Sequence, residues 1–418
     1  MKNLIFFLLI FVCNFAIAQQ ITLDNCYNLA KINFAIDSRI NLNTKSSDLE
    51  IKNLQSTYYP TLNLVGTASY QTPVLEINLP IPNVSMPEVP NDQYKTYFEL
   101  QQIIYSGGAI KSQKKVEEIS LQSENKSVEV EFQTIKQQIN DVYFLILLFE
   151  KQQEIIDVLM KNLDTRLTTV KSAVENGILM QVNYDIILAE KLKAEQQIIE
   201  LQTGKSSALK IISELTDTTF TENTDFEFPE IEINFADTII NRPEIQLLKI
   251  QQIQLNSYSE LLNSQRRPKI IGFAQAGYGR PGLNMLSSDF NPYFIAGITA
   301  TWNIWDWNST NRDKQILKVS SEILEIKTEN FEKTINIELQ NQISTIEKLE
   351  KQILKDDEII DLRNKIITAY SVQLENGTIS SSEYIIELNA VTEAKLNKEL
   401  HKIQLLQAKT DYLTVKGN

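Results

Sequence analysis

Two segments of this chain, 200 residues apart, carry nearly the same text. "AVENGILMQVNYDIILAEKL" from Ala173 and "QLENGTISSSEYIIELNAV" from Gln373 set Gly177 on Gly377 and Tyr184 on Tyr384. The same shift sets "IIYSGG", ending at Gly108, on "NIWDWN", ending at Asn308. "YYPTLNLVGTASY" around Pro60 matches "RRPKIIGFAQAGYG" around Pro268 at a slightly larger offset, so the extra residues fall in one loop. An internal repeat constrains architecture before any local signal does, because both copies must reach the same fold.

Within each copy the longest pattern is helical. Phe132, Ile135, Ile139, Val142, Ile146, Phe149, Ile156, Met160, Leu163, Leu167, Val170 and Val174 step by threes and fours, with only Gln153 polar in the series. Ile346, Leu349, Ile353, Ile360, Ile367, Tyr370 and Leu374 keep that register in the second copy. A 3,4 alternation held this long is a coiled-coil seam. It predicts helices over 109–175 and 309–375, each about 100 Å long at ~1.5 Å per residue. Gly177 and Gly377, each preceded by an asparagine (Asn176, Asn376), stop them where the chain must reverse. Shorter helices are expected over 181–215 and 380–416 after the reversals, and over 23–56 and 242–266 at the start of each copy. The first repeat is thus assigned to 19–215, a linker to 216–241, where "TDTTFTENTDFEFPEIEINFADTIIN" breaks the period, and the second repeat to 242–418.

The other ends of the copies read as strands, over 61–72, 93–105, 269–279 and 293–305. Leu62, Leu64, Ala68 and Tyr70 alternate with Thr61, Asn63, Thr67 and Ser69, and Tyr94, Phe98 and Leu100 with Lys95, Glu99 and Gln101. Greasy against polar at period two suits a strand with lipid on one side and water on the other. The second pair is patterned less cleanly and is rich in Gly, Ala and aromatics. The loop between the first pair carries five prolines from Pro73 to Pro90 and reads as exposed. Four strands are too few to close a barrel, for which about eight are needed. Open edges inside a bilayer leave backbone groups unsatisfied, so copies of the chain must combine: two supply eight strands and three supply twelve.

"MKNLIFFLLIFVCNFAIAQQ" predicts a secretory signal peptide over 1–18. Its removal takes Lys2, moving the formal charge from −13 to −14, and leaves Cys26 with no partner for an intramolecular disulfide. The acidic balance excludes a basic nucleic-acid footprint. No later apolar run approaches the ~18 residues of a membrane helix; the longest is "VYFLILLF" from Val142. One histidine, His401, and one mature cysteine cannot build a His/Cys metal cluster, so neither an enzyme nor a metal or cofactor site is expected. "YSGG" at Tyr105 lacks phosphate-loop spacing and reads as a strand-to-helix turn. Asp356 and Asp357 read as solvated charges on a coiled-coil face. Trp302, Trp305 and Trp307, at the end of the last strand, fit either an interfacial aromatic girdle or packing at the strand–helix junction.

Signal peptide, tandem copies, strand blocks "FELQQIIYSGGAIKSQ" and "ITATWNIWDWNSTNRDK", and two "ENG" hairpins together resemble the TolC-like outer membrane efflux protein family. The resemblance covers nearly the whole mature chain. It implies a homotrimer whose strands close a 12-stranded outer membrane β-barrel, continuous with an α-helical tunnel through the periplasm. Such a protein is the passive exit duct of a tripartite efflux or type I secretion system. Its expected partners are outer membrane lipid, a periplasmic adaptor at the hairpin tips, and an inner-membrane transporter of RND, ABC or MFS type. An exported periplasmic coiled-coil scaffold without pore activity is the competing reading.

The resemblance also carries residue expectations. Family channels narrow at acidic positions six and nine residues after the second hairpin glycine; here these are Glu383 and Ile386, so one carboxylate transfers. The matching first-copy residue is Asn183, followed by Asp185. A tyrosine before and an arginine after the second glycine lock some members, but Leu374 and Ile379 stand there. The aperture and gate are therefore expected among Glu383, Asn183, Asp185, Tyr184, Tyr384 and Glu387, and adaptor docking at Gly177, Gly377, Asn176 and Asn376.

Overall fold

The computed structural model describes residues 20–74, 90–236, 239–284 and 287–417. The signal-peptide expectation and most of the proline-rich loop lie outside the described residues. The elements run α1 (Leu23–Asn33), α2 (Ile36–Ser56), β1 (Thr61–Tyr70), β2 (Asp92–Tyr105), α3 (Ala109–Glu175), α4 (Gln181–Thr216), α5 (Pro243–Gln265), β3 (Lys269–Arg280), β4 (Asn291–Thr301), α6 (Ser309–Glu375) and α7 (Ser381–Lys416). Both α3 and α6 have 67 residues, and both α4 and α7 have 36. Among the described residues no helix is long and apolar enough to cross a membrane.

Two compact units divide the chain. One takes the chain up to Ser38, Val128–Pro243 and the part from Glu332 onward; the other takes Arg39–Ser127 and Glu244–Phe331.

The second unit holds one antiparallel sheet in the order β1-β2-β3-β4. Its register sorts the side chains by parity. Leu62 lies opposite Leu100, which faces Ala274, which faces Ala296; the next row is Leu64, Phe98, Ala276 and Phe294. The opposite face carries Asn63, Glu99, Gln275 and Ile295, and the Gln275 amide donates to the Glu99 carboxylate at 2.7 Å. The Leu62 and Leu64 rows are apolar across all four strands, while their face also carries Thr96 and Gln102 toward its ends, and the opposite face mixes polar residues with Phe273 and Ile295 of the second pair. Its glycines make room: a Cβ on Gly277 would sit 2.4 Å from the Tyr97 Cβ, and one on Gly297 2.9 Å from the Phe273 ring. β1 and β4 each leave one edge without a partner strand among the described residues.

β4 ends at Thr301 rather than continuing to 305. Trp302 leaves the strand to donate its indole N–H to the Arg266 carbonyl at 2.9 Å. Asp306 then accepts from the Thr310 amide at 3.0 Å, its hydroxyl at 2.5 Å and the Asn308 amide at 3.0 Å, which starts α6.

The first unit is helical. Seam residues Ile139, Ile146, Ile156, Leu163, Leu167 and Val170 are buried, with Phe132, Ile135, Val142, Phe149, Met160 and Val174 packed against them. Around Tyr143 and Phe144 the buried surface of α3 widens beyond the seam and receives Leu23, Cys26 and Ala30 of α1, Ile212 of α4, and Phe220 and Phe226 of the segment between α4 and α5. That segment is therefore pinned to the core, where Ile21 bridges Phe226 and the Tyr143 hydroxyl reaches the Glu227 carbonyl at 2.6 Å. Burial pushes the Cys26 thiol up to about 12, which leaves it protonated and inert.

Two sequence expectations are corrected here. The helix over 23–56 is broken at Phe34 and Ala35, with Ala35 at φ +49°. No glycine or proline marks the break; it is fixed from outside, by the Asn33 side-chain amide on the Glu214 and Leu215 carbonyls at the end of α4 (2.8 and 3.1 Å). Asp356, read as solvated, is buried and its carboxylate is hydrogen-bonded to His401 Nδ1 at 2.6 Å, while Asp357 pairs with Lys398. The pairing across α6 and α7 is a long-range contact that no local pattern contains.

Candidate functional site at the helical hairpin tips

Both reversals are built alike. At the first, the Gly177 amide donates to the Val174 carbonyl (2.9 Å) and the Ile178 amide to the Ala173 carbonyl (2.8 Å). At the second, Gly377 donates to Leu374 (3.0 Å) and Thr378 to Gln373 (2.9 Å). These paired bonds satisfy the orphan carbonyls of the helix end and demand a left-handed residue, which Gly177 (φ +72°) and Gly377 (φ +69°) supply. The preceding asparagines fold back, Asn176 onto the Ser172 carbonyl at 2.8 Å and Asn376 onto the Val372 carbonyl at 2.9 Å. No atom lies within 4 Å of a Cβ built on either glycine, so backbone conformation alone selects them.

Beyond the turns the tips differ. α7 begins with a capping box: the Ser380 hydroxyl accepts from the Glu383 amide at 3.3 Å, and the Glu383 carboxylate accepts from the Ser380 amide at 2.8 Å. Those bonds from Ser380 hold the Glu383 carboxyl below the usual glutamate range. α4 has no such cap. Met180 occupies the cap position without a side-chain bond, and Ile178, Met180 and Val182 are exposed. Asn183 turns its amide to the Met180 carbonyl at 3.3 Å, and Asp185 accepts from Gln181 at 2.9 Å.

The equivalent tyrosines also diverge. Tyr184 is half-buried, whereas Tyr384 is 5% exposed and lies beneath the Arg166 guanidinium, 5.0 Å from the ring centroid. Arg166, the only arginine of α3, donates Nε to the Tyr384 hydroxyl at 3.4 Å, Nη1 to Glu375 at 3.0 Å, and Nη2 to the Ser371 hydroxyl. One side chain of α3 thus clasps both arms of the second hairpin. Partial burial works against its charge, but the bonds to Tyr384 and Glu375 outweigh that and raise its pKa. Two turns along α7, Glu387 is buried and takes both oxygens to Arg363 at 3.1 and 2.9 Å.

Of the expected gate residues, Tyr384 and Glu387 are thus engaged in contacts between helices, Glu383 in its own helix cap, and Asn183 and Asp185 in local bonds. Arg166 and Arg363 were missed. A signal existed for Arg166, as the lone arginine beside the seam residues Leu163 and Leu167, but its partners are some 200 residues away.

No protein-family model matches the chain, and no curated protein sequence matches it. Solved structures do. The CmeC outer membrane channel of Campylobacter jejuni superposes with TM-score 0.68 over 94% of this chain and 85% of its own, at 13% identity. The outer membrane protein VceC of Vibrio cholerae gives 0.71 over 95% and 96%, at 10% identity. This is the fold of the TolC-like outer membrane factors. The open-state MtrE outer membrane channel of Neisseria gonorrhoeae adds a third likeness at TM-score 0.69, covering 94% and 89% at 13% identity. Near-complete coverage of both partners means that the outer-membrane-factor fold accounts for helices and sheet alike, and that α1–α7 and β1–β4 all belong to it.

Proposed function

We propose that the protein is an outer membrane channel-tunnel, the passive exit duct of a tripartite efflux or type I secretion system. The observation that carries this reading is the sheet, whose central rows on one face are apolar across all four strands and whose two edges lack a partner strand among the described residues, in a chain with the fold of outer membrane channels. Such a sheet is stable in a bilayer only if neighbouring copies pair β4 with β1 and remove the edges. Three copies give a 12-stranded barrel, in keeping with a chain made of two related halves.

A second stripe supports assembly. Ile316, Val319, Ile323 and Ile326 of α6 are exposed at steps of three and four, which is the pattern of a coiled-coil face awaiting another helix. In the assembly the tips around Gly177, Gly377, Asn176 and Asn376 meet a periplasmic adaptor, and an inner-membrane transporter of RND, ABC or MFS type supplies the energy. Glu383, Asn183, Asp185, Tyr184, Tyr384 and Glu387 belong to the gated end, with Arg166 holding the second hairpin to the first.

Fractionation separates this from a periplasmic scaffold. The duct requires detergent for extraction and runs as an oligomer; release by salt as a monomer refutes it.

A further inference from the structure

The dipeptide Asn-Gly occurs twice in the chain, and both copies lie at the hairpin tips, as Asn176–Gly177 and Asn376–Gly377. Asparagine before glycine is chemically labile, because glycine sets no side chain against the approach of its own amide. The glycine nitrogen attacks the asparagine side-chain carbonyl carbon, loses its proton and expels ammonia, closing a five-membered succinimide. Water then opens the ring at one of its two carbonyls, leaving aspartate or isoaspartate.

In the closed turns both reactants are engaged elsewhere. The Gly177 and Gly377 amides donate to the Val174 and Leu374 carbonyls at 2.9 and 3.0 Å, and the Asn176 and Asn376 side-chain amides fold back one helical turn at 2.8 and 2.9 Å. Both asparagines are exposed to water, so reaction waits for the turn to open locally. The text Glu-Asn-Gly is identical at the two tips, which leaves the opening equilibrium to decide between them.

Opening is harder at the second tip. The Ser380–Glu383 capping box fastens α7 directly after the turn, and Glu375, the neighbour of Asn376, is held by Arg166, which also takes Ser371 and Tyr384. At the first tip Met180 occupies the cap position of α4 with no side-chain bond. We propose that Asn176 is a site of spontaneous deamidation in the folded chain and that Asn376 is protected from it.

The product sets a new carboxylate beside Glu175 at the C-terminal end of α3, where the helix dipole disfavours negative charge, and deletes the bond to the Ser172 carbonyl. Isoaspartate also lengthens the backbone by one carbon, which breaks the register of the paired bonds from Gly177 and Ile178. The first tip therefore ages out of its docking shape while the second keeps it. That consequence rests on the channel reading; the chemistry does not.

The test follows the purified full chain in detergent at mildly alkaline pH, with peptide mass spectrometry counting the amide-to-acid change at each asparagine and circular dichroism recording the fold. In urea both sites should react alike. In the folded chain Asn176 should convert at least about tenfold faster than Asn376, since a helix cap and an ion pair each bias opening a few-fold. Met180→Ser, which gives α4 a capping hydroxyl, should slow Asn176, and Ser380→Ala or Arg166→Met should speed Asn376. Equal rates at the two tips of the folded chain overturn the proposal, as does a folded chain in which neither site reacts while both do in urea. Unchanged rates in all three variants overturn the assignment of protection to the cap and the clasp. Each readout is a mass at a named residue, so these outcomes are the same whether or not the chain conducts.

Discussion

Arg166→Met tests whether the clasp between the two hairpins holds the gated end closed. Methionine keeps the apolar stem and deletes the charge. The ion pair with Glu375 is worth at most about 1 kcal/mol, because the carboxylate side chain is 58% exposed. The 3.4 Å bond to the Tyr384 hydroxyl is long, so the guanidinium over the ring, at 5.0 Å, contributes comparably, about 0.5–2 kcal/mol. With the Ser371 bond the clasp contributes about 2 kcal/mol to whichever state contains it. If only the closed state contains it, Arg166→Met shifts the open-to-closed ratio roughly thirtyfold, at about 1.4 kcal/mol per factor of ten. Open probability in planar bilayers reads this directly, and a cycle with Tyr384→Phe isolates the pairwise part. A variant that melts earlier but gates like the wild type would show the clasp to be packing, and additive effects of the two changes would show that the pair is uncoupled.

Gly177→Val and Gly377→Val force a β-branched residue into the left-handed region with no neighbour to clash against, so each should cost about 1–2 kcal/mol locally, abolish export, and leave membrane insertion intact; normal export by both variants contradicts docking at the tips. Glu383 has a depressed carboxyl pKa, so its contribution to the α7 cap is present above the ordinary glutamate value and is lost as pH falls through the lower folded value. Amide exchange at Ser380–Tyr384 should therefore accelerate only in acid, and a flat profile contradicts the cap. Glu383→Ala should change cation selectivity or divalent block of the conducting channel, whereas wild-type conductance removes Glu383 from the aperture.

The long helices and their reversals were legible because they depend on local periodicity and on one backbone conformation at Gly177 and Gly377. The first strand pair was legible for the same reason, since Leu62, Leu64, Phe98 and Leu100 alternate with polar residues. The second pair became readable only through register, which sets Gly277 under Tyr97 and Gly297 under Phe273. The α1–α2 break was hidden because Asn33 is held by carbonyls of α4. The same limit applies to the gate: Glu383 stood out by its distance from Gly377 and Tyr384 by its match to Tyr184, but Arg166 and Arg363 acquire meaning only when separate helices meet.

A pore made by copies of this chain would conduct ions, and the current through a planar lipid bilayer holding the purified protein reads that property. Discrete current steps are expected at protein loads where flotation shows insertion, with Arg166→Met spending more time open. A bilayer that stays electrically silent while the protein is inserted contradicts the pore.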